Sequence, residues 1–201
     1  MQHPHKDHYF SRAVGMKKEE LDAFQPNCTA IRELTLGRQI FLGGHRAADS
    51  KQVLDWHGVK FKCCLARTYH VQSIEGIGEI TSCSWNWFVK HKMHREALNW
   101  AQTILEKTME YGSVLIYDQR GAHKSAAGAV LLVALTTKDW TVEQATRFVR
   151  LLRPIVYICA ADSKFIAECL ERARAGGPFL PEFQRESPYA VPFANFRSQA
   201  G

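Results

Sequence analysis

Hydrophobic positions along this chain change period several times, and the changes predict alternating strands and helices. Residues 39–44 form a short apolar run closed by Gly43 and Gly44, which predicts a strand ending in a turn. Over residues 47–57 the apolar positions recur at helical spacing. Asp49 or Ser50 stands near the start and Gly58 fits the stop. Residues 59–65 read as the next strand, and residues 71–83, with two glycines, as strand and loop. The longest helical pattern covers 85–111. Past His94 its apolar positions are Ala97, Leu98, Ala101, Ile104, Leu105 and Met109. Gly112 ends it, and residues 113–117 are a core strand. A small-residue apolar helix follows over 125–135. Asp139 or Thr141 caps a further helix with the stripe Val142, Ala145, Phe148, Val149 and Leu152. Ser163 caps a last helix, 164–175, which Gly176-Gly177 stops. Strands that alternate with helices predict an α/β domain, a central sheet flanked by helices.

The two ends break this pattern. Residues 1–30 read as a polar N-terminal arm with one short helical stretch over 17–24, and the folded domain covers 31–176, starting near Ile31. Residues 177–201 form a Pro/aromatic C-terminal extension. It holds Pro178, Pro181, Pro188 and Pro192 beside Phe179, Phe183, Tyr189, Phe193 and Phe196. So many prolines exclude a helix, and so many aromatics are unlike a plain linker. The extension is expected to pack on its own domain or on a partner.

Composition narrows the class. With 201 residues, 46% hydrophobic and 23% charged, the chain matches an ordinary globular domain. It lacks an apolar run of about 18 residues and an apolar N-terminal signal, so a membrane span and secretion are not expected. An intracellular location follows, cytoplasmic by default. Lys6, Arg12, Lys17 and Lys18 leave a mitochondrial presequence as an alternative. The net charge of +6 fits a solvated mixed-charge surface, or contact with RNA or an anionic partner. The six cysteines include no C-x-x-C pair, so reduced thiols are expected and no metal site. His3, His5 and His8 belong to the polar arm. Trp85 and Trp87 are either core or an exposed aromatic platform.

Residues 114–126 carry the candidate chemistry. A buried strand ends at Tyr117. The loop Asp118, Gln119, Arg120, Gly121, Ala122, His123, Lys124 follows, and Ser125 opens the apolar helix. A tight loop before a helix turns successive N–H groups, and the positive end of the helix dipole, into one concavity suited to an anion. The spacing resembles the His-Cys-x-x-Gly-x-x-Arg-Ser signature of cysteine-dependent dual-specificity phosphatases. Tyr117 stands at the His position, Asp118 at the Cys nucleophile, and Lys124 at the phosphate-clamping Arg. Gly121 and Ser125 match. Other matching stretches are Leu42-Gly43-Gly44, Ala47-Ala48, Leu54, Gly58-Val59, Thr141-Val142-Glu143-Gln144-Ala145 and Phe165-Ile166. The resemblance covers roughly residues 36–175 and implies a single dual-specificity-phosphatase-like α/β domain, with a central mixed sheet flanked by helices.

The chemistry such a phosphatase needs is mostly missing. It uses a low-pKa thiolate, a guanidinium fork on the phosphoryl oxygens, inward N–H groups and an acid for the leaving oxygen. Here a carboxylate replaces the thiol and an ammonium replaces the fork. No Asp lies between Asp55 and Asp118, which leaves Glu75 or Glu79 as substitutes for the acid. An aspartyl-phosphate route through Asp118 would want Mg²⁺ and further carboxylates that the loop lacks. Lys124 could instead pair with Asp118; at 4 Å and an effective dielectric near 20 the attraction is about 4 kcal/mol before desolvation. Arg120 and His123 are expected as exposed loop side chains. No catalytic residue and no cofactor are expected. The expected function is that of a pseudophosphatase serving as a binding or scaffold module. Its partner would be a protein held by the tails or the pocket, with a phosphorylated ligand allowed and no membrane. The alternatives are a structural subunit of a large ribonucleoprotein, such as a divergent mitochondrial ribosome with RNA contacts, and a divergent active phosphatase.

Overall fold

The computed structural model describes residues 15–24, 26–35, 37–66 and 72–176. Five strands form one sheet in the order β1-β2-β5-β3-β4: β1 (Cys28–Thr35), β2 (Arg38–Gly44), β3 (Val59–Cys64), β4 (Gly78–Ile80) and β5 (Ser113–Asp118). β1 is antiparallel to β2, and the other pairs are parallel. The sheet is therefore mixed, as expected.

β5 is central and buried at every position, so its side chains alternate between two cores rather than between core and water. Val114 and Ile116 face the larger core, and Leu115 and Tyr117 the smaller. The smaller core is covered by α2 (His45–Ala48) and α3 (Lys51–Trp56), which contribute Ala48 and Leu54. The larger is covered by α4 (Trp85–Lys90), α5 (His94–Tyr111), α6 (Lys124–Thr136), α7 (Val142–Leu152) and α8 (Ala160–Arg174). α6 is apolar on all sides because it lies at the centre of that group. At Gly128 a Cβ would come within 2.6 Å of Leu65 Cδ1 and 2.8 Å of Trp100, so a glycine is needed for α6 to pack this closely.

Several expectations change. The segment over 47–57 is two helices, not one: α2 ends at Ala48, and Ser50 Oγ caps α3 by accepting from the Val53 N–H at 3.3 Å. The long pattern over 85–111 breaks at His91–Met93, where Lys92 has φ +50°. Thr141, not Asp139, caps α7 in a capping box with Gln144. Leu152 leaves the α7 stripe and is exposed. α8 starts at Ala160, ahead of Ser163, with Cys159 at its N-cap. The domain also starts before Ile31. β1 opens at Cys28, and Leu21 of α1 (Lys18–Ala23) is buried against Ala122 and Ile155. Trp85 is core, at 0% exposure, while Trp87 faces outward at 39%. His3, His5, His8 and the extension 177–201 lie outside the described residues. No helix among the described residues is long and apolar enough to cross a membrane.

Candidate functional site

β5 delivers Asp118 to the start of a loop that ends on the first turn of α6. The Asp118 carboxylate fills the concavity of its own loop. Oδ1 accepts from the N–H groups of Arg120 at 2.9 Å and Gly121 at 2.6 Å. Oδ2 accepts from those of His123 at 3.3 Å and Ser125 at 3.0 Å. Ser125 belongs to the first turn of α6, so the carboxylate also sits at the positive end of that helix. Both oxygens are thus occupied by two donors each. The pairing of Asp118 with Lys124 that the sequence allowed is not formed; the main chain takes its place. Local N–H donors win because they are fixed by the loop, whereas a lysine loses rotamer freedom to reach the same carboxylate.

The carbonyls of the loop are held on the opposite face. Gln119 O accepts from the His45 N–H at 3.3 Å, and the His45 ring lies 2.8 Å from it. Ala122 O accepts from the Tyr157 N–H at 2.8 Å. Between them, Arg153 donates to Arg120 O and Gly121 O, both at 2.8 Å. The same guanidinium reaches Phe24 O at 2.8 Å, Asn27 O at 3.2 Å and Thr29 Oγ1 at 3.1 Å. Arg153 is fully buried, and burial pulls its pKa down to about 10, against the neighbouring Asp118 carboxylate. It stays charged at neutral pH. Turning the carbonyls outward in this way is what turns the N–H groups inward.

Gly121 is required twice over. Its φ is +66°, and a Cβ there would lie 2.5 Å from the Gly43 backbone. The retained glycine therefore lets the loop rest on the end of β2.

The charged loop side chains are engaged, contrary to the expectation that they are simply exposed. Arg120 is buried, with Nε 3.4 Å from Asp22 Oδ1 on α1. His123 Nε2 lies 3.0 Å from Asp162 Oδ2 on α8. Asp162 is the hub of this corner. Its Oδ2 also accepts from the Cys159 Sγ–H at 2.9 Å, and its Oδ1 accepts from the Trp85 indole N–H at 2.9 Å. Burial pushes the Asp162 carboxyl up; hydrogen bonds from His123, Cys159 and Trp85 outweigh it and hold the group below its ordinary range.

Among the described residues, burial raises the thiols around the loop, including Cys159, which lies within 4.8 Å of the His123 ring. Cys64, at the end of β3, is raised by burial even though Lys124 opposes the shift. Burial pushes Cys28, beside Arg153, up to about 11. A raised thiol is a protonated and poor nucleophile. Of the two candidate acids, Glu79 pairs across β3–β4 with the buried Lys62 at 3.5 Å. Glu75 lies in the turn before β4, and no hydrogen bond brings it to the loop.

The strand-loop-helix frame and Gly121 were readable from the sequence. Arg153, Asp162 and Cys159 were not. The only local sign of Arg153 is a charged residue at the end of an amphipathic helix, just before Pro154.

No family model matches the sequence, and no curated protein does. Solved structures do match its fold. Human DUSP28 shares 16% identity over 73% of this chain and 95% of its own, with a TM-score of 0.61. The human tyrosine phosphatase-like serine/threonine/tyrosine-interacting protein shares 18% over 72% of this chain and 97% of its own, at 0.53. The Yvh1 phosphatase domain of Chaetomium thermophilum shares 13% over 74% and 98%, at 0.55. The five-stranded mixed sheet and its two helical layers are thus those of the dual-specificity phosphatase fold.

Proposed function

We propose that this chain is a catalytically silent phosphatase-fold protein that acts as a binding or scaffold module for a protein partner. The Asp118 carboxylate carries the reading. It lies among the N–H groups that would otherwise hold phosphoryl oxygens, and both its oxygens already accept two hydrogen bonds. That also makes it a poor nucleophile, since attack on phosphorus would have to break those bonds. The raised Cys64 thiol and the Lys62-bound Glu79 support the same reading. One structure of the same fold carries "interacting protein" in its own name, which makes such a role on this scaffold reasonable.

Purified protein offered a generic aryl phosphate should release no more product than an Asp118→Ala control. Turnover that disappears in that variant would overturn the reading and favour a divergent phosphatase. For the scaffold role, protein partners should co-purify in nuclease-treated lysate and be lost on deleting residues 178–201 or on altering the loop. Association that depends on RNA would point instead to a ribonucleoprotein subunit.

A further inference from the structure

A second group of side chains lies beside the loop and has no part in the anion cradle. His123 comes from the loop, Cys159 from the N-cap of α8 and Asp162 from its first turn. Their ligand atoms all lie within 4.8 Å of one another. The N-cap and third helical positions bring Cys159 and Asp162 together on one side of α8, and the loop brings the imidazole to the same point.

We propose that His123, Cys159 and Asp162 form a Zn²⁺ site that pins the loop to α8. Three features point to it. The donor set is a sulfur, an imidazole nitrogen and a carboxylate oxygen, which suits zinc and excludes the hard cations Mg²⁺ and Ca²⁺. The Cys159 Sγ–H and the His123 Nε2–H converge on the same oxygen, Asp162 Oδ2, at 2.9 and 3.0 Å. One dication can replace the thiol proton and, with the imidazole proton shifted from Nε2 to Nδ1, take the Nε2 lone pair, so thiolate, carboxylate, neutral imidazole and Zn²⁺ sum to zero charge. The buried Asp162 is also held from behind: the Trp85 indole N–H donates to Oδ1 at 2.9 Å and leaves Oδ2 directed at the other two groups. Such outer contacts fix a ligand's orientation and sharpen affinity.

The fit requires a small rearrangement. Ligand bonds of about 2.0–2.3 Å in tetrahedral geometry put the ligand atoms roughly 3.3–3.5 Å apart, so the two contacts to Asp162 Oδ2 lengthen by about half an ångström while Cys159 and His123, within 4.8 Å of each other, draw together. The His123 side chain is 36% exposed, which leaves the fourth position open to water or an outside ligand. The sequence hides this site because its ligands are not paired along the chain: His123 is 39 residues from Asp162. The site does not depend on whether the loop binds an anion.

The test is titration of the full-length, reduced protein with Zn²⁺ against a chromogenic chelator, and with Co²⁺ followed by absorbance. The expected result is one ion per chain and a thiolate-to-cobalt charge-transfer band. Cys159→Ser should abolish the band, and both Cys159→Ser and His123→Ala should weaken Zn²⁺ binding at least tenfold. Replacing His3, His5 and His8 together, or the exposed Cys83, should leave the site intact. Zn²⁺ should raise the melting temperature of the parent protein and not of His123→Ala. If Cys159→Ser fails to fold, His123→Ala still decides, because its ring is partly exposed. The proposal is overturned if no stoichiometric site competes with the chelator. It is also overturned if binding survives His123→Ala, or if it vanishes with the N-terminal histidines.

Discussion

The two faces of the loop between β5 and α6 are closed by opposite charges at very different ranges. On the N–H face, Asp118 serves four donors that all lie within the next seven residues. On the carbonyl face, Arg153 reaches back 32 residues to Gly121 and 129 to Phe24, and joins the loop to α1 and β1. The first closure is local and shapes only the loop. The second is a tertiary joint on which three segments depend. Loss of Asp118 should therefore open a vacancy, and loss of Arg153 should loosen the domain.

The largest effect is expected from Arg153→Met. It strands the buried acceptors of Arg120 and Gly121 and the part-buried ones of Phe24 and Asn27, and breaking a buried charge network typically costs about 3–5 kcal/mol. Urea unfolding measures it; a loss below about 1 kcal/mol would remove the distinction between joint and local closure.

Gly121→Ala comes next, at about 2–3 kcal/mol. It combines a positive φ with a Cβ contact too close for the Gly43 backbone to accept. A thermal shift equal to that of Gly58→Ala, which has φ +62° but open space around it, would show that crowding adds nothing.

Asp118→Ala should cost less, about 1–3 kcal/mol, because small anions or water can reach the freed N–H groups. The sharper readout is gain of function: tungstate or phosphate should raise the melting temperature of this variant and leave the parent unchanged. An equal response in both proteins would mean that the carboxylate does not fill the cradle.

The smallest effect concerns pH. The Asp162 carboxyl lies below its ordinary range in the folded protein. A depressed folded pKa contributes stability above the unfolded value of about 3.9, lost as pH falls through the folded value. The stability gap between the parent and Asp162→Asn should thus hold at neutral pH and close below about pH 4. A gap that widens on acidification would reverse the assignment.

The same division between local and distant contacts explains what could be read from the sequence. The strand ending at Asp118, the glycine at 121 and the apolar run of α6 are contiguous, so periodicity and turn chemistry reveal them. The N–H cradle follows from that frame alone. Its occupant was harder to read: a lysine and a backbone both attract a carboxylate, and only the loop geometry decides between them. Where helices stop and restart within a few residues, as at Asp49–Ser50 and His91–Met93, the apolar spacing continues across the gap and conceals the break. β1 was missed as an edge strand whose polar Arg32 and Glu33 weaken its pattern. Arg153 and Asp162 act on partners far away in the chain, and no local pattern encodes that.

Asp118 can finally be seen as a ligand attached to its own receptor. A dissolved anion stabilises a fold only as far as its concentration exceeds its dissociation constant. A tethered one is present at an effective concentration set by geometry, which dilution does not change. The loop should therefore keep one shape whether its surroundings are rich or poor in phosphate, so that whatever docks on it meets a surface indifferent to phosphate supply.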